Sequence, residues 1–185
     1  MRDATGRAVD RGLPAGRPSW QDGGVTDATA PFQDLLHDNF CWGCGADNPD
    51  GLQLKSTWRA DDPEVAVARF TPSPAHAAGP RHVLNGGIIG VVLDCHGVCT
   101  AVADAYRREG RAVGDGPDIW YATASLQIEF LRPTPIAATV ELEGRVVAVD
   151  DRTTTVECVL VAEGKPRARA TVGAVRVPDS WRQAG

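Results

Sequence analysis

The residues most able to do chemistry lie in one run, Asn85-Gly86-Gly87-Ile88-Ile89-Gly90-Val91-Val92-Leu93-Asp94. It places a carboxylate inside an apolar stretch that opens with two glycines. Between Leu84 and Ala103 the only strongly polar side chains are Asn85, Asp94, His96 and Thr100. An ionised Asp in such surroundings loses hydration and needs partners or a special role. Glycines at a helix start leave backbone N–H groups free where partial positive charge gathers. A base close to a preformed anion site suits hydrolysis of a carbonyl compound. The plainer alternative is a buried acid tied to a backbone amide or an arginine.

At about 100° per residue, Gly87, Gly90, Asp94, Gly97 and Ala101 share one helix face. Gly90 and Gly97 each cost roughly 1 kcal/mol against Ala in a helix interior. That cost points to close approach by a ligand or by another backbone, and tight packing alone is the simpler account. His96, two residues from Asp94, points to a different face and reads as a core histidine beside Val92, Cys99 and Ala103. Cys95 and Cys99 read as small apolar fillers. Cys41-Trp42-Gly43-Cys44 has the spacing of a zinc half-site or a redox pair. The chain offers no second C-x-x-C, and the motif lies in a Gly/Asn/Pro loop rather than opening a helix. It is therefore expected to be a structural loop. The sequence has no Walker loop, no G-x-G-x-x-G after a strand, no G-x-S-x-G elbow and no H-E-x-x-H.

These residues need a scaffold. Residues 1–30 are rich in Gly, Asp, Arg and Pro without a period and are expected to form a disordered tail. Residues 31–39 suggest a short helix, and 41–51 a turn-rich loop. Strands are expected at 52–59 and 65–71, then a loop to Pro80. The long helix runs from the N-cap Asn85 to Arg108, with Gly110 as its stop. Ala122, Ala124, Leu126, Ile128 and Phe130 alternate strictly with Thr123, Ser125, Gln127 and Glu129, which predicts a strand. Arg132-Pro133-Thr134-Pro135 ends it. Three further strands are expected near 139–149, 153–162 and 167–177, with turns at Asp150-Asp151 and Glu163-Gly164. Residues 178–185 form a C-terminal tail. A sheet of this size covers its inner face by curling round one buried helix, giving an α+β architecture.

The 185 residues suit one domain with a flexible end, and a hydrophobic fraction of 43% suffices for a core. A net charge of −5 argues against a nucleic-acid binder. The apolar segment 84–103 is about the length of a membrane span, ~20 residues. A central Asp is costly in lipid, so a buried core helix is preferred and no membrane partner is expected. No hydrophobic signal core is seen in residues 1–30, and the five cysteines are expected to be reduced in the cytoplasm.

Asn85-Gly86-Gly87 with Asp94 nine residues after the Asn resembles the H/N-G-G-x6-D signature of hotdog-fold acyl-CoA thioesterases, of phenylacetate and 4-hydroxybenzoyl-CoA thioesterase type. The likeness extends upstream to Cys41-Trp42-Gly43-Cys44-Gly45-Ala46-Asp47-Asn48-Pro49-Asp50-Gly51-Leu52. Downstream it takes in Thr123-Ala124-Ser125-Leu126-Gln127-Ile128-Glu129-Phe130-Leu131-Arg132-Pro133. It covers roughly residues 31–177 and implies a hotdog domain there, a curved antiparallel sheet wrapped around one long central helix. By the same resemblance Asp94 activates water or attacks the thioester itself, the Gly87 N–H polarises the carbonyl, and Thr123 helps place the water. Asn85 stands where the family often has His. Gly86, His82 and Arg132 are candidate substrate contacts, and Arg81 a further candidate for the CoA phosphates. No cofactor or metal is implied. The partners expected are acyl-CoA and further copies of the chain, as a dimer or a dimer of dimers with sites between subunits, so that Asp94 and Thr123 could come from different chains. The alternative is a non-catalytic acyl-CoA-binding or regulatory protein on the same fold.

Overall fold

The computed structural model describes residues 30–182. Of the tail expected over residues 1–30 all but Ala30, and of the C-terminal tail residues 183–185, lie outside them. Six strands form one antiparallel sheet: β1 (Lys55–Trp58), β2 (Ala66–Phe70), β3 (Trp120–Phe130), β4 (Val140–Val149), β5 (Thr153–Ala162) and β6 (Lys165–Val177). Their order across the sheet is β1-β2-β4-β5-β6-β3, so β3 forms one edge and β1 the other. The long helix α1 (Gly86–Arg108) packs against the sheet, and a short helix α2 (Asp179–Arg182) follows β6. This is the hotdog fold that the sequence led us to expect.

The segment 31–39 is shorter than expected. It makes one 3₁₀ turn, Phe32–Asp34, after Pro31, whose side chain offers no cap. Phe32 nevertheless reaches the core and packs its ring 5.2 Å from that of Trp58. A second 3₁₀ turn, Pro74–His76, lies within the expected loop.

The helix is apolar all round because the sheet curves about it. Ile89, Val92, Leu93, Val102 and Ala105 are buried, against Leu142, Val156, Leu160 and Val172 of the sheet. Each fully buried Val, Leu or Ile side chain contributes roughly 1.5–3 kcal/mol. The helix comes close because the facing strands are thin. A side chain at Gly144 on β4 would meet the His96 ring at 3.0 Å, and one at Gly97 on the helix would meet Val172 on β6 at 2.6 Å. Gly97 and Ala101 are both buried, so the small-residue face splits: its far half seats the sheet and only its near half stays open. By length and composition α1 could cross a membrane, but 61% of that apolar window is buried inside the fold.

Both ends of α1 follow its sequence. Asn85 caps the start, with Oδ1 accepting from the Gly87 N–H. At the other end Gly110 has φ +68. The Gly110 N–H donates to Arg107 O and the Arg111 N–H to Tyr106 O, each at 3.0 Å, which closes a Schellman motif. In the β5–β6 hairpin Glu163 and Gly164 have φ 52 and 68, as a two-residue type I′ turn requires.

Candidate active site

The start of α1 is held by a loop-to-loop weave. The Leu84 N–H donates to Thr134 O at 2.8 Å, Ile136 N–H to His82 O at 3.0 Å, and Asn85 N–H to His76 O at 2.9 Å. The Arg132–Ile136 turn therefore lies beside the His82–Leu84 approach, and two candidate substrate contacts, His82 and Arg132, both flank the helix start. Both are exposed. Arg132 Nη1 is occupied by Pro166 O at 2.9 Å. Arg81 is likewise exposed.

β3 runs alongside α1 in the opposite direction. A side chain at Gly86 would meet the Phe130 ring at 3.5 Å, and one at Gly90 would meet Ile128 Cδ1 at 3.4 Å. Further along, Thr123 Oγ1 donates to Asp94 Oδ1 at 2.8 Å. Strict alternation would send Thr123 to the face opposite Ile128 and Phe130. A bulge prevents this: Thr123 pairs with Ala174 and Ser125 with Gly173, leaving Ala124 without a partner. The extra residue turns Thr123 onto the helix side. The expected strict period of two therefore breaks at Ala124. The possibility that Asp94 and Thr123 come from different chains is likewise corrected, because one chain holds them in contact.

Asp94 is half-buried. Burial raises its pKa above the ordinary carboxylate value, the Thr123 hydrogen bond lowers it, and the neighbouring Cys44 raises it further. A carboxylate so placed is a stronger base than a free Asp. Thr123 occupies one carboxylate oxygen and orients the group, which leaves the second oxygen available.

Gly87, the expected carbonyl-polarising donor, is exposed near the start of the helix, but its N–H already donates to Asn85 Oδ1 at 2.7 Å. Asn85 itself is exposed. The structure thus gives Asn85 a definite partner, the Gly87 N–H that it caps.

His96 is fully buried, with Ser56 Oγ 2.9 Å from its Nδ1. Burial pushes its pKa down to about 4. It is a neutral core histidine, as its position two residues from Asp94 implied. The cysteine side chains form a cluster that neither helix pattern nor loop composition announces. Cys41 and Cys44 of the loop meet Cys95 and Cys99 of α1. The signal that could have found it is the i, i+4 spacing of Cys95 and Cys99, which sets both on one helix face.

With the 82–85 approach, the Asp94–Thr123 pair and the sheet in place, the comparisons with known proteins fix the family. Residues 82–168 match the family model of the thioesterase superfamily. A thioesterase superfamily protein from Shewanella loihica is 34% identical over 68% of this chain and 91% of that one, with a TM-score of 0.53. The chain belongs to the thioesterase superfamily. Two more distant structures share the fold. The PaaI protein of the Escherichia coli phenylacetic acid degradation operon is 17% identical (69% of this chain, 81% of that one, TM-score 0.54). A phenylacetic acid degradation-related protein of Ralstonia eutropha is 21% identical (68% and 86%, TM-score 0.54). No curated protein matches this chain.

Proposed function

We propose that this thioesterase-superfamily chain hydrolyses an acyl-CoA thioester to the free acid and CoA. The observation that carries the reading is the Thr123–Asp94 hydrogen bond at 2.8 Å, on the open side of a helix whose first turn offers backbone N–H groups. Asp94 takes a proton from water, and the resulting hydroxide adds to the thioester carbon. Charge moves onto the carbonyl oxygen, where the Gly87 N–H and the positive end of the helix stabilise it. The tetrahedral adduct collapses by breaking the C–S bond, and the CoA thiolate leaves and takes up a proton. Asn85 Oδ1 yields the Gly87 N–H when substrate arrives.

The site is completed by a second copy of the chain. Gly87 and Asp94 are seven residues apart, which puts their backbones roughly 10 Å apart along the helix. One amide, one carbonyl and a directly attacking oxygen span only roughly 7 Å. A Gly87 N–H from a partner helix, lying beside the Asp94–Thr123 pair of the first chain, closes that gap. The β3 edge supports such pairing, since Leu126 and Phe130 are 38% and 56% exposed beside the half-open helix face of Gly90, Val91 and Val98. All five cysteines are free, which fits a reducing, cytoplasmic setting.

A non-catalytic acyl-CoA binder is the competing reading, favoured by the occupied Gly87 N–H. A panel of acetyl-, palmitoyl- and benzoyl-type CoA thioesters decides. Turnover that is lost in Asp94→Asn supports hydrolysis, whereas tight binding of a thioester with no turnover in the wild-type protein supports the binder.

A further inference from the structure

The Cys41–Cys44 loop supplies no reacting group to the proposed hydrolysis, yet its sulfurs are not scattered. Cys41 Sγ lies 3.7 Å from Cys95 Sγ, and Cys44 Sγ lies 3.8 Å from Cys99 Sγ. The sulfurs of Cys41, Cys44 and Cys95 all fall within 4.8 Å of one another. Four thiolates at ~2.3 Å from a tetrahedral zinc ion stand about 3.8 Å apart along each edge. A disulfide needs ~2.05 Å, and all four cysteines are free thiols. We propose that Cys41, Cys44, Cys95 and Cys99 bind one zinc ion, which staples the 41–51 loop to α1 one residue beyond Asp94.

Three features support a metal over four apolar fillers. The first is the loop's backbone, which is shaped as a ligand turn. The Gly45 N–H donates to Cys41 O at 2.7 Å, which closes a tight turn that carries Cys41 and Cys44 on neighbouring corners. The second is the approach of the loop to the helix. A side chain at Gly43 would overlap Cys95 Sγ and meet Val91 Cγ1 at 2.7 Å, so the turn is pressed directly onto α1. The third is chemical. Cys44 Sγ lies 3.8 Å from Cys99 Sγ and within 4.8 Å of the sulfurs of Cys41 and Cys95, a cluster of soft donors of the kind zinc selects. A divalent cation would neutralise thiolates packed this closely. An all-sulfur tetrahedral set selects zinc or an iron–sulfur cluster. Cys41, Cys44 and Cys95 stand at the spacing of zinc ligands, Cys99 closes in from beside Cys44 as the fourth, and with four protein ligands the site is closed and structural.

The test is the metal content of the full-length protein, purified reduced and without chelator, measured by inductively coupled plasma mass spectrometry. About one zinc per chain is expected. Cys41→Ser/Cys44→Ser should lower that to under about a tenth, while Cys158→Ser, at a buried cysteine outside the cluster, should keep it. Because the double variant could misfold, the wild-type protein is tested separately. Zinc should leave in step with mercurial titration of its thiols, and the metal-free protein should take up Co²⁺ with thiolate charge-transfer bands. The proposal is overturned by reduced wild-type protein that holds no zinc and takes up neither Zn²⁺ nor Co²⁺. A disulfide among the four, iron–sulfur absorption in place of zinc, or full zinc content in a folded double variant would overturn it equally.

Discussion

Thr123 and Asp94 are 29 residues apart in sequence and share a hydrogen bond of 2.8 Å in one chain. The bond fixes the carboxylate's orientation and moderates its basicity. Asp94→Asn keeps the shape of the side chain and removes the base. We expect turnover of the preferred thioester to fall by about 10²–10⁴ with the melting temperature little changed. Activity within a few-fold of wild type, measured by thiol release, would remove Asp94 from the mechanism.

The pH dependence follows from the same pair. Burial raises the Asp94 pKa, so the acid limb of kcat/KM should lie above the ordinary carboxylate value of 3.8. The Thr123 bond stabilises the charged form and lowers the pKa. Thr123→Val should therefore move the acid limb to higher pH. A pH profile identical to wild type would mean that the hydroxyl does not bear on the base.

Complementation tests the two-chain site. If the Gly87 N–H of one chain serves the Asp94 of its partner, inactive Gly87→Pro and inactive Asp94→Asn subunits should rescue one another. Proline is tolerated in a helix's first turn and removes only that donor. Random exchange would leave about one site in four intact. Asp94→Asn mixed with Thr123→Ala should restore nothing, because those two side chains belong to the same half-site. Rescue by the second mixture and not the first would reverse the assignment.

Gly90 and Gly97 should respond in opposite senses to alanine. Alanine gains roughly 1 kcal/mol of helix propensity at either position. At Gly97 the new methyl would meet Val172 at 2.6 Å, a β-branched side chain in mid-strand. Overpacking of that kind costs about 1–3 kcal/mol, so Gly97→Ala should lower stability in chemical denaturation. At Gly90 the nearest atom is 3.4 Å away, so the alanine fits and the fold should hold or gain. Activity should nevertheless drop at Gly90, where the helix face is open to substrate or partner.

Acid should loosen the core through His96. Its pKa is depressed from 6.5 to about 4 in the folded chain. Between those values the unfolded chain is protonated and the native chain is not, so stability rises with pH across the interval. It should fall by roughly 3 kcal/mol as pH drops from 6.5 towards 4, and change little more from this group below that. His96→Gln should flatten that slope in urea titrations; an unchanged slope would assign the acid sensitivity to other groups.

The sequence by itself determined the elements and the chemistry they could hold. Period-two alternation marked β3, continuous apolarity marked α1, and Asn85 and Gly110 marked its ends, because caps and hydrophobic patterns act over a few residues and need no distant partner. The lone carboxylate Asp94 in an apolar helix was legible for the same reason. Only tertiary structure decided what these residues meet. The bulge at Ala124 depends on pairing with Gly173 and Ala174 half a domain away, and it alone brings Thr123 to Asp94. Gly97 is spent on Val172 while Gly90 stays open, a distinction set by which strand lies over each turn of the helix. The four cysteines come together because a loop without strand or helix of its own folds back over α1, and no local period along the chain records such a long-range approach.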